Sequence, residues 1–556
     1  MGGTVLPQDV WWLIAQELCA CGDFPTLFHS AQTSRGLASL SLPLLYSIHE
    51  QSPAYNAHIV NIDASIRLWR SIIISSFGKT LYPYCCWLKI LHLGSFHALL
   101  EDVARDFTRL QTLFAPPLRK LQIRLDEGAK GTRRRPVALN LDAIIVEAAS
   151  KITECIKTAA DEQDKAVGLT SLEGLYLPTS HLPNWVSSLS RLTSLSVRDG
   201  SVLNGDVGRA IKDNCPAFKE LTCYFCQGTD VDSELAGFFR GLSPNTLESF
   251  SIISVNNIGT ETFQALSGHA LSLKRLSLQS LERVAFESMH HLDGCVGLES
   301  LVLEATVSAR RYQWEADNKD SFQLVISWLQ QCALLKRMDF CAVPGAPVIL
   351  AEVLNAIDVA LVDLNVEFVD EVPDVFYGSL SHQKALRTLR VRILNDDIIE
   401  AGENRHVVFA EAISNCVDLR ELVTNELFTV EDYTKIATAL PHLAQIAVNG
   451  DTVDDSFLVP FSSLAHLRSL RIFSPSQVTF DGVLRFLYEL AAHPEAPASH
   501  EEMQLYFSRQ DPDVLFTEKQ EATLSETIGQ LFRGVFEVRY YPDPDEQLDE
   551  NSEFSD

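Results

Sequence analysis

Cys223 and Cys226 stand in a Cys-x-x-Cys spacing, the arrangement in which two thiolates of one turn grip a zinc ion or exchange a disulfide. A structural zinc site takes four ligands, and no second pair of that spacing occurs among the twelve cysteines. Five others, Cys85, Cys215, Cys295, Cys332 and Cys416, stand three residues before the first apolar residue of a recurring hexapeptide. Elsewhere that register holds Leu169, Leu189, Leu440, Leu464 or Ala270, so these cysteines are read as small, reduced core hydrophobes. Cys223 falls on the last apolar position of one hexapeptide, and its pair is read as core too. Cys19 and Cys21 lie near a helix end with no partner at ligand spacing. His290 and His291 are neighbours in sequence, so a helix turns them away from a common ion. There is no phosphate-cradling glycine loop, no dinucleotide-binding glycine pattern, no nucleophile elbow and no His-Glu-x-x-His. No catalytic residue, metal or cofactor is therefore expected, and an enzyme is the least expected class. What remains is binding chemistry. Arg310, Arg311, Tyr312 and Trp314 fall within five positions and are of the types that anchor protein interfaces.

The elements that position these residues announce themselves by a period. A hexapeptide of the form L-x-x-L-x-L, with substitutions, begins at Leu88, Leu118, Leu172 and Leu192. It continues from Phe218, Leu247, Leu273, Leu298, Leu335, Leu361, Leu386, Leu419, Leu443 and Leu467. From Leu172 to Leu467 eleven steps cover 295 residues, an average of about 27 and within the leucine-rich-repeat range. The pattern predicts an α/β leucine-rich-repeat solenoid, with parallel strands on a concave sheet and helices on the convex side. Helical patterns lie between strands at Asp206 to Asn214, Ser321 to Gln331, His406 to Asn415 and Asp432 to Leu440. Two insertions break the period, near 126–168 and 304–322. The first holds Lys130 and Arg133 to Arg135, which read as a nuclear-import signal or as a solvated loop, and then a long helix through Ile145 and Ile156.

Composition bounds the rest. At 556 residues, 46% apolar and 21% charged, the chain reads as folded and soluble. The net charge of −28 argues against nucleic acid and against anionic membranes as partners, and leaves basic proteins open. No basic-then-apolar start resembles a secretory signal, no apolar run is long enough to span a bilayer, and no asparagine lies in a glycosylation sequon. The expected place is the cytoplasm or nucleus.

The first 45 residues show a different pattern. Leu6-Pro7 opens a helix carrying Val10, Leu13, Ile14 and Leu18 at helical spacing. Asp23 is the expected cap of a second helix with Phe24, Leu27, Phe28 and Ala31, and Ser34 of a third that Pro43 should interrupt. This order of residues, from Leu6-Pro7 and Asp9-Val10 through Leu13-Ile14, Leu18, Asp23-Phe24, Leu27 and Ala31 to Ser34-Arg35, resembles the F-box motif. The chain departs from it at Gln32, where an aliphatic residue is usual, and at Leu37, where tryptophan is usual. An F-box followed by leucine-rich repeats is a familiar domain order. The resemblance implies a substrate receptor of a Skp–cullin–F-box ubiquitin ligase. A Skp-type adaptor, and through it a cullin, would bind Leu6, Pro7, Val10, Leu13, Ile14, Leu18 and Leu27. The repeats would hold a protein target.

The expected organisation is then an all-α F-box module at 1–45, a helical link at 46–84, repeats at 85–495, a C-terminal cap at 496–541 and a disordered acidic tail at 542–556. The cap should contain strands at Met503 to Phe507 and Val535 to Tyr541 around a helix from Glu518 to Phe532. For the target surface the expectation is the 304–322 insertion, projecting with Arg310, Arg311, Tyr312 and Trp314 or, equally, steadied by Tyr312 and Trp314 tucked against a neighbouring repeat, and after it Asp339 and Arg390 on the strands. Two other readings stay open: a repeat scaffold whose first helices bind no adaptor, and an acidic inhibitor that clamps a basic protein.

Overall fold

The computed structural model describes residues 6–51, 61–125, 139–162, 167–175, 177–369, 372–394, 405–493, 502–511 and 514–540. The basic run at 130–135, Tyr176 and the acidic tail lie outside them. The chain forms two compact units that divide between Leu273 and Lys274.

The first unit begins with three helices, α1 (Gln8–Ala20), α2 (Phe24–Thr33) and α3 (Arg35–Ser47). Asp23 caps α2 by accepting from the Thr26 amide at 3.1 Å, and Ser34 caps α3 through the Leu37 amide at 3.2 Å. The α3 helix does not end at Pro43 but runs on to Ser47. Proline removes one donor, and the last turn still closes through Ile48 N–H to the Leu44 carbonyl. Tyr46 joins the three helices to the helical link. It stacks on Tyr84 at 4.7 Å and hydrogen-bonds Ser71 at 2.7 Å on α4 (Ile62–Ser76).

Parallel strands then run in chain order: β1 (Ile90–His92), β2 (Ser171–Gly174), β3 (Ser194–Asp199), β4 (Glu220–Phe225) and β5 (Ser249–Ile252). Their register puts the middle leucine of each hexapeptide in one buried row, Leu91, Leu172, Leu195, Leu221 and Phe250. Side chains two apart on a strand share a face, so Leu195 and Val197, or Leu221 and Cys223, enter the core together.

Two sequence expectations fail in this unit. The hexapeptide at Leu118 is a 3-10 turn, Leu118–Leu121, and not a strand. It belongs to a helical insertion larger than 126–168 that separates β1 from β2, with α5 (Leu93–Ala104), α6 (Phe107–Leu113) and α7 (Leu141–Asp161). Arg70 on α4 ties it in by donating to the carbonyls of Thr112, Leu113, Ala115 and Pro116. The repeat assigned to Leu172 starts instead at Leu169, because Leu172 pairs with Leu195. The third apolar place there is Gly174, and Leu177 fills it: a Cβ on Gly174 would stand 2.2 Å from Leu177 Cδ2.

Among its described residues the second unit carries ten parallel strands. They are β6 (Arg275–Leu281), β7 (Ser300–Ala305), β8 (Arg337–Cys341), β9 (Asp363–Phe368), β10 (Thr388–Ile393), β11 (Glu421–Thr424), β12 (Gln445–Val448), β13 (Ser469–Ile472), β14 (Gln504–Gln510) and β15 (Val535–Tyr540). The same buried row runs through Leu276, Leu301, Met338, Leu364, Leu389 and Leu422 to Ile446, Leu470, Leu505 and Phe536. The segment 496–541 thus adds two further strands to the ladder, with the helix Glu518–Phe532 between them. Neighbouring repeats are stitched at the second hexapeptide position, whose carbonyl accepts two amides of the next repeat. The Lys336 carbonyl takes Val362 and Asp363, and the Arg387 carbonyl takes Arg420 and Glu421. Both units are α/β leucine-rich-repeat solenoid: one strand and one helix or turn per repeat, stacked in order. No described helix is long and apolar enough to cross a membrane.

Candidate functional site

The N-terminal module buries little. Ala15, Leu27 and Ile48 make its core, with Leu18, Cys19, Phe24, Leu44 and Leu45 packed around them. On α1 the inward stripe is therefore Ala15, Leu18 and Cys19. Leu6, Pro7, Leu13 and Ile14 are exposed, with Val10 and Leu18 half-buried. Leu13 keeps 63% of its surface in water, and Trp12 and, on α2, Phe28 are also exposed. Helix α1 is thus apolar on two faces, only one of which the described residues cover. Leu27 differs from an expected exposed contact: it is fully buried and packs with Ala15 and Ile48 in the module's core.

The 304–322 insertion does not project. Tyr312 and Trp314 are buried, Trp314 between Phe286 and Phe322 at ring distances of 5.4 and 5.5 Å. Arg283 lies 4.4 Å over the Tyr312 ring, and the Tyr312 hydroxyl donates to Glu287 at 3.2 Å. Burial, with the Glu287 charge beside it, pushes that hydroxyl up to about 12. Hydrophobic area wins over display here, since folding the two rings down removes far more apolar surface from water than an exposed loop could. Arg311 stays exposed and Arg310 half-buried beside a cavity of about 970 Å³ that Lys319 and Val348 also line. The Arg310 Nε and Trp314 Nε1 atoms are buried with no hydrogen-bond partner.

Asp339 and Arg390 sit where the sequence places them, on the row between the buried strand residues: Ser277, Val302, Asp339, Asn365, Arg390 and Val423. Neither is unpartnered. Asp339 accepts from Asn365 Nδ2 at 2.9 Å and from Arg337 at 3.4 Å, and Arg390 holds Glu421 at 2.6 Å.

Sequence reasoning missed a second feature of the repeats. At the second hexapeptide position stand Arg387, Arg420 and Arg468, all exposed, and with His442 and His466 they line a cleft of about 660 Å³. The His442 and His466 rings lie 5.6 Å apart. The backbone carbonyl of this position is engaged in the ladder, while its arginine side chains are exposed. The signal was available as a column of L-R in the hexapeptides from Leu386, Leu419 and Leu467.

All twelve cysteines are free thiols. Cys223 and Cys226 are both fully buried, and Cys226 Sγ occupies the space in front of Gly200, where a Cβ would meet it at 2.3 Å. A hydrogen bond with Cys226, together with burial, raises the Cys223 thiol well above its ordinary value. The thiols that come together in metal-ligand geometry are others, Cys85, Cys86 and Cys155.

No protein-family model matches the chain, and no curated protein does. Among solved structures, one titled as a crystal structure of a TLR13–ssRNA13 complex is similar with a TM-score of 0.31 and 13% identity. That overlap covers 67% of this chain and 51% of the other, so the chain spans about half that structure's length. A crystal structure of a Rad7 and Elc1 complex in yeast gives a TM-score of 0.30 and 14% identity over 59% of this chain and 88% of the other. With likeness this partial, the fold rests on the strand ladder itself.

Proposed function

We propose that the chain is the target-binding receptor of a cullin-based ubiquitin ligase. The outward face of α1, with Leu6, Pro7, Val10, Leu13 and Ile14, seats on a Skp-type adaptor, and the repeats hold a protein target. The receptor performs no bond chemistry. Its contribution is proximity: it raises the concentration of the target beside a conjugating enzyme. The observation that carries the reading is the second apolar face of α1, exposed on a small module whose core cluster gathers around Ala15, Leu27 and Ile48. Exposed apolar area of that kind costs solubility and marks a partner surface. The cleft carries Arg387, Arg420 and Arg468 against Asp363 and Glu421, an excess of guanidinium that suits a carboxylate-rich or phosphorylated target segment, because guanidinium groups grip such anions with two parallel hydrogen bonds.

The test is Leu13→Asp with Ile14→Asp in the full chain, co-purified with adaptor and cullin. Both side chains are exposed, so the helical content should not change. Adaptor recovery should fall on the order of tenfold or more, as for a central apolar anchor. Recovery at wild-type strength removes α1 as the adaptor surface and with it this reading.

A further inference from the structure

Cys85 and Cys86 lie on the 3-10 turn Tyr84–Trp87, and Cys155 lies seventy residues later on α7. Their three sulfur atoms all stand within 4.8 Å of one another, and Cys85 Sγ is 3.6 Å from Cys155 Sγ. Three sulfurs bound to one ion at about 2.3 Å sit roughly 3.8 to 4.0 Å apart, depending on whether the site is tetrahedral or flat. The Cys85–Cys155 separation is just below that range and Cys86 Sγ lies within 4.8 Å of both, so the three sulfurs are close enough to share one ion.

The cluster is also held. The Cys85 amide donates to Ser75 Oγ at 2.9 Å, which fixes the turn to α4. The buried face of α7, through Ile152 and Ile156, fixes Cys155 from the other side. Cys85 and Cys86 are almost fully buried, whereas Cys155 is partly open to solvent. Among the described residues no histidine or carboxylate joins the group. An all-sulfur set with an open side suits a thiophilic ion and excludes calcium or magnesium, which take oxygen.

We propose that Cys85, Cys86 and Cys155 form a three-thiolate site for a thiophilic d10 cation, zinc(II) or copper(I). Zinc would take water as its fourth ligand on the Cys155 side and would leave one net negative charge in the site. Copper(I) would be content with three sulfurs but would leave two. Binding expels the thiol protons, so occupancy falls as the solution is acidified. The ion would pin α7 to the turn that precedes β1, at the root of the N-terminal module. The site is independent of any adaptor or target.

The experiment is metal analysis of the full chain, purified with reductant and without chelator, beside its Cys155→Ser, Cys86→Ser and Cys223→Ser variants. The expected result is close to one equivalent of zinc or copper per chain. It should drop at least about tenfold in the first two variants, as loss of a ligand does, and stay unchanged in the third. Chelator-stripped wild type, titrated separately with zinc(II) and with copper(I) under reductant, should take up one equivalent and gain several degrees in melting temperature. That arm identifies the ion and does not depend on any variant folding. A stripped wild-type chain that takes up neither ion overturns the proposal. So does uptake undiminished in a folded Cys155→Ser chain, or a Cys85–Cys155 disulfide in protein prepared anaerobically.

Discussion

At the scale of single residues, the same chemical type plays opposite parts according to what surrounds it. Trp314 and Arg311 are three positions apart in one insertion, and sequence alone marks both as interface anchors. The structure separates them. Trp314 is packed on Phe286 and Phe322, while Arg311 is exposed. Trp314→Ala should therefore destabilise the second unit by about 3–5 kcal/mol, as a truncated core tryptophan does. Arg311→Ala should stay within about 0.5 kcal/mol. Thermal melts of the two variants check this, and equal melting temperatures would restore the insertion as a displayed loop. The burial of Trp314 was one of two readings the sequence left open, and its partners, Phe286 from the preceding repeat and Phe322 later in its own, decide between them through packing that no local pattern encodes. The cysteine cluster escaped for a related reason. Cys86 and Cys155 share no motif, and only the fold brings them together.

At the scale of elements, capping and periodicity were read well where they are local, and poorly where the chain balances several faces. Asp23 and Ser34 cap the helices expected of them. The apolar stripe of α1 was found, but its direction was not, since a helix apolar on two sides gives no sign of which side its neighbours choose. The turn His49–Gln51 after α3 adds an acid-sensitive joint. His49 is buried, with Nδ1 2.9 Å from the Tyr46 carbonyl, and burial pushes its imidazole down to about 4 from an ordinary 6.5. The unfolded chain then binds the proton first, so stability is complete above pH 6.5 and is lost as pH falls toward 4. The loss amounts to about 3 kcal/mol. In a His49→Gln chain the N-terminal module should lose much less stability between pH 7 and 5 than in wild type, judged by hydrogen exchange of α1 to α3. Glu50 Oε2 lies 3.4 Å from His49 Nδ1 and its carboxyl is raised by burial, so the comparison is made in a Glu50→Gln background.

At the scale of the whole molecule, the net charge of −28 and the basic rim of Arg387, Arg420 and Arg468 oppose each other. The general field repels acidic partners at long range, whereas the rim attracts them at contact. Arg387→Glu with Arg420→Glu should reduce capture of an acidic or phosphorylated target on the order of tenfold or more, with adaptor recovery unchanged. Pull-downs from the same lysate at two salt concentrations measure both, and capture undiminished by the reversal moves the target elsewhere. The repeat register from Leu192 onward was legible because each strand repeats one short pattern. The joint between β1 and β2 was not, because Leu118 imitates that pattern inside a helical insertion. That joint has a kinetic side. Ile90 pairs with Ser171 across 81 residues, whereas Ser194 pairs with Glu220 across 26. The longer closure costs about 1 kcal/mol more in chain entropy and raises the contact order of this one joint alone. Folding is thus expected to spread outward from the regular strands and to reach β1 late. The end of the chain that would meet an adaptor would then become ordered only after the surface that would hold a target.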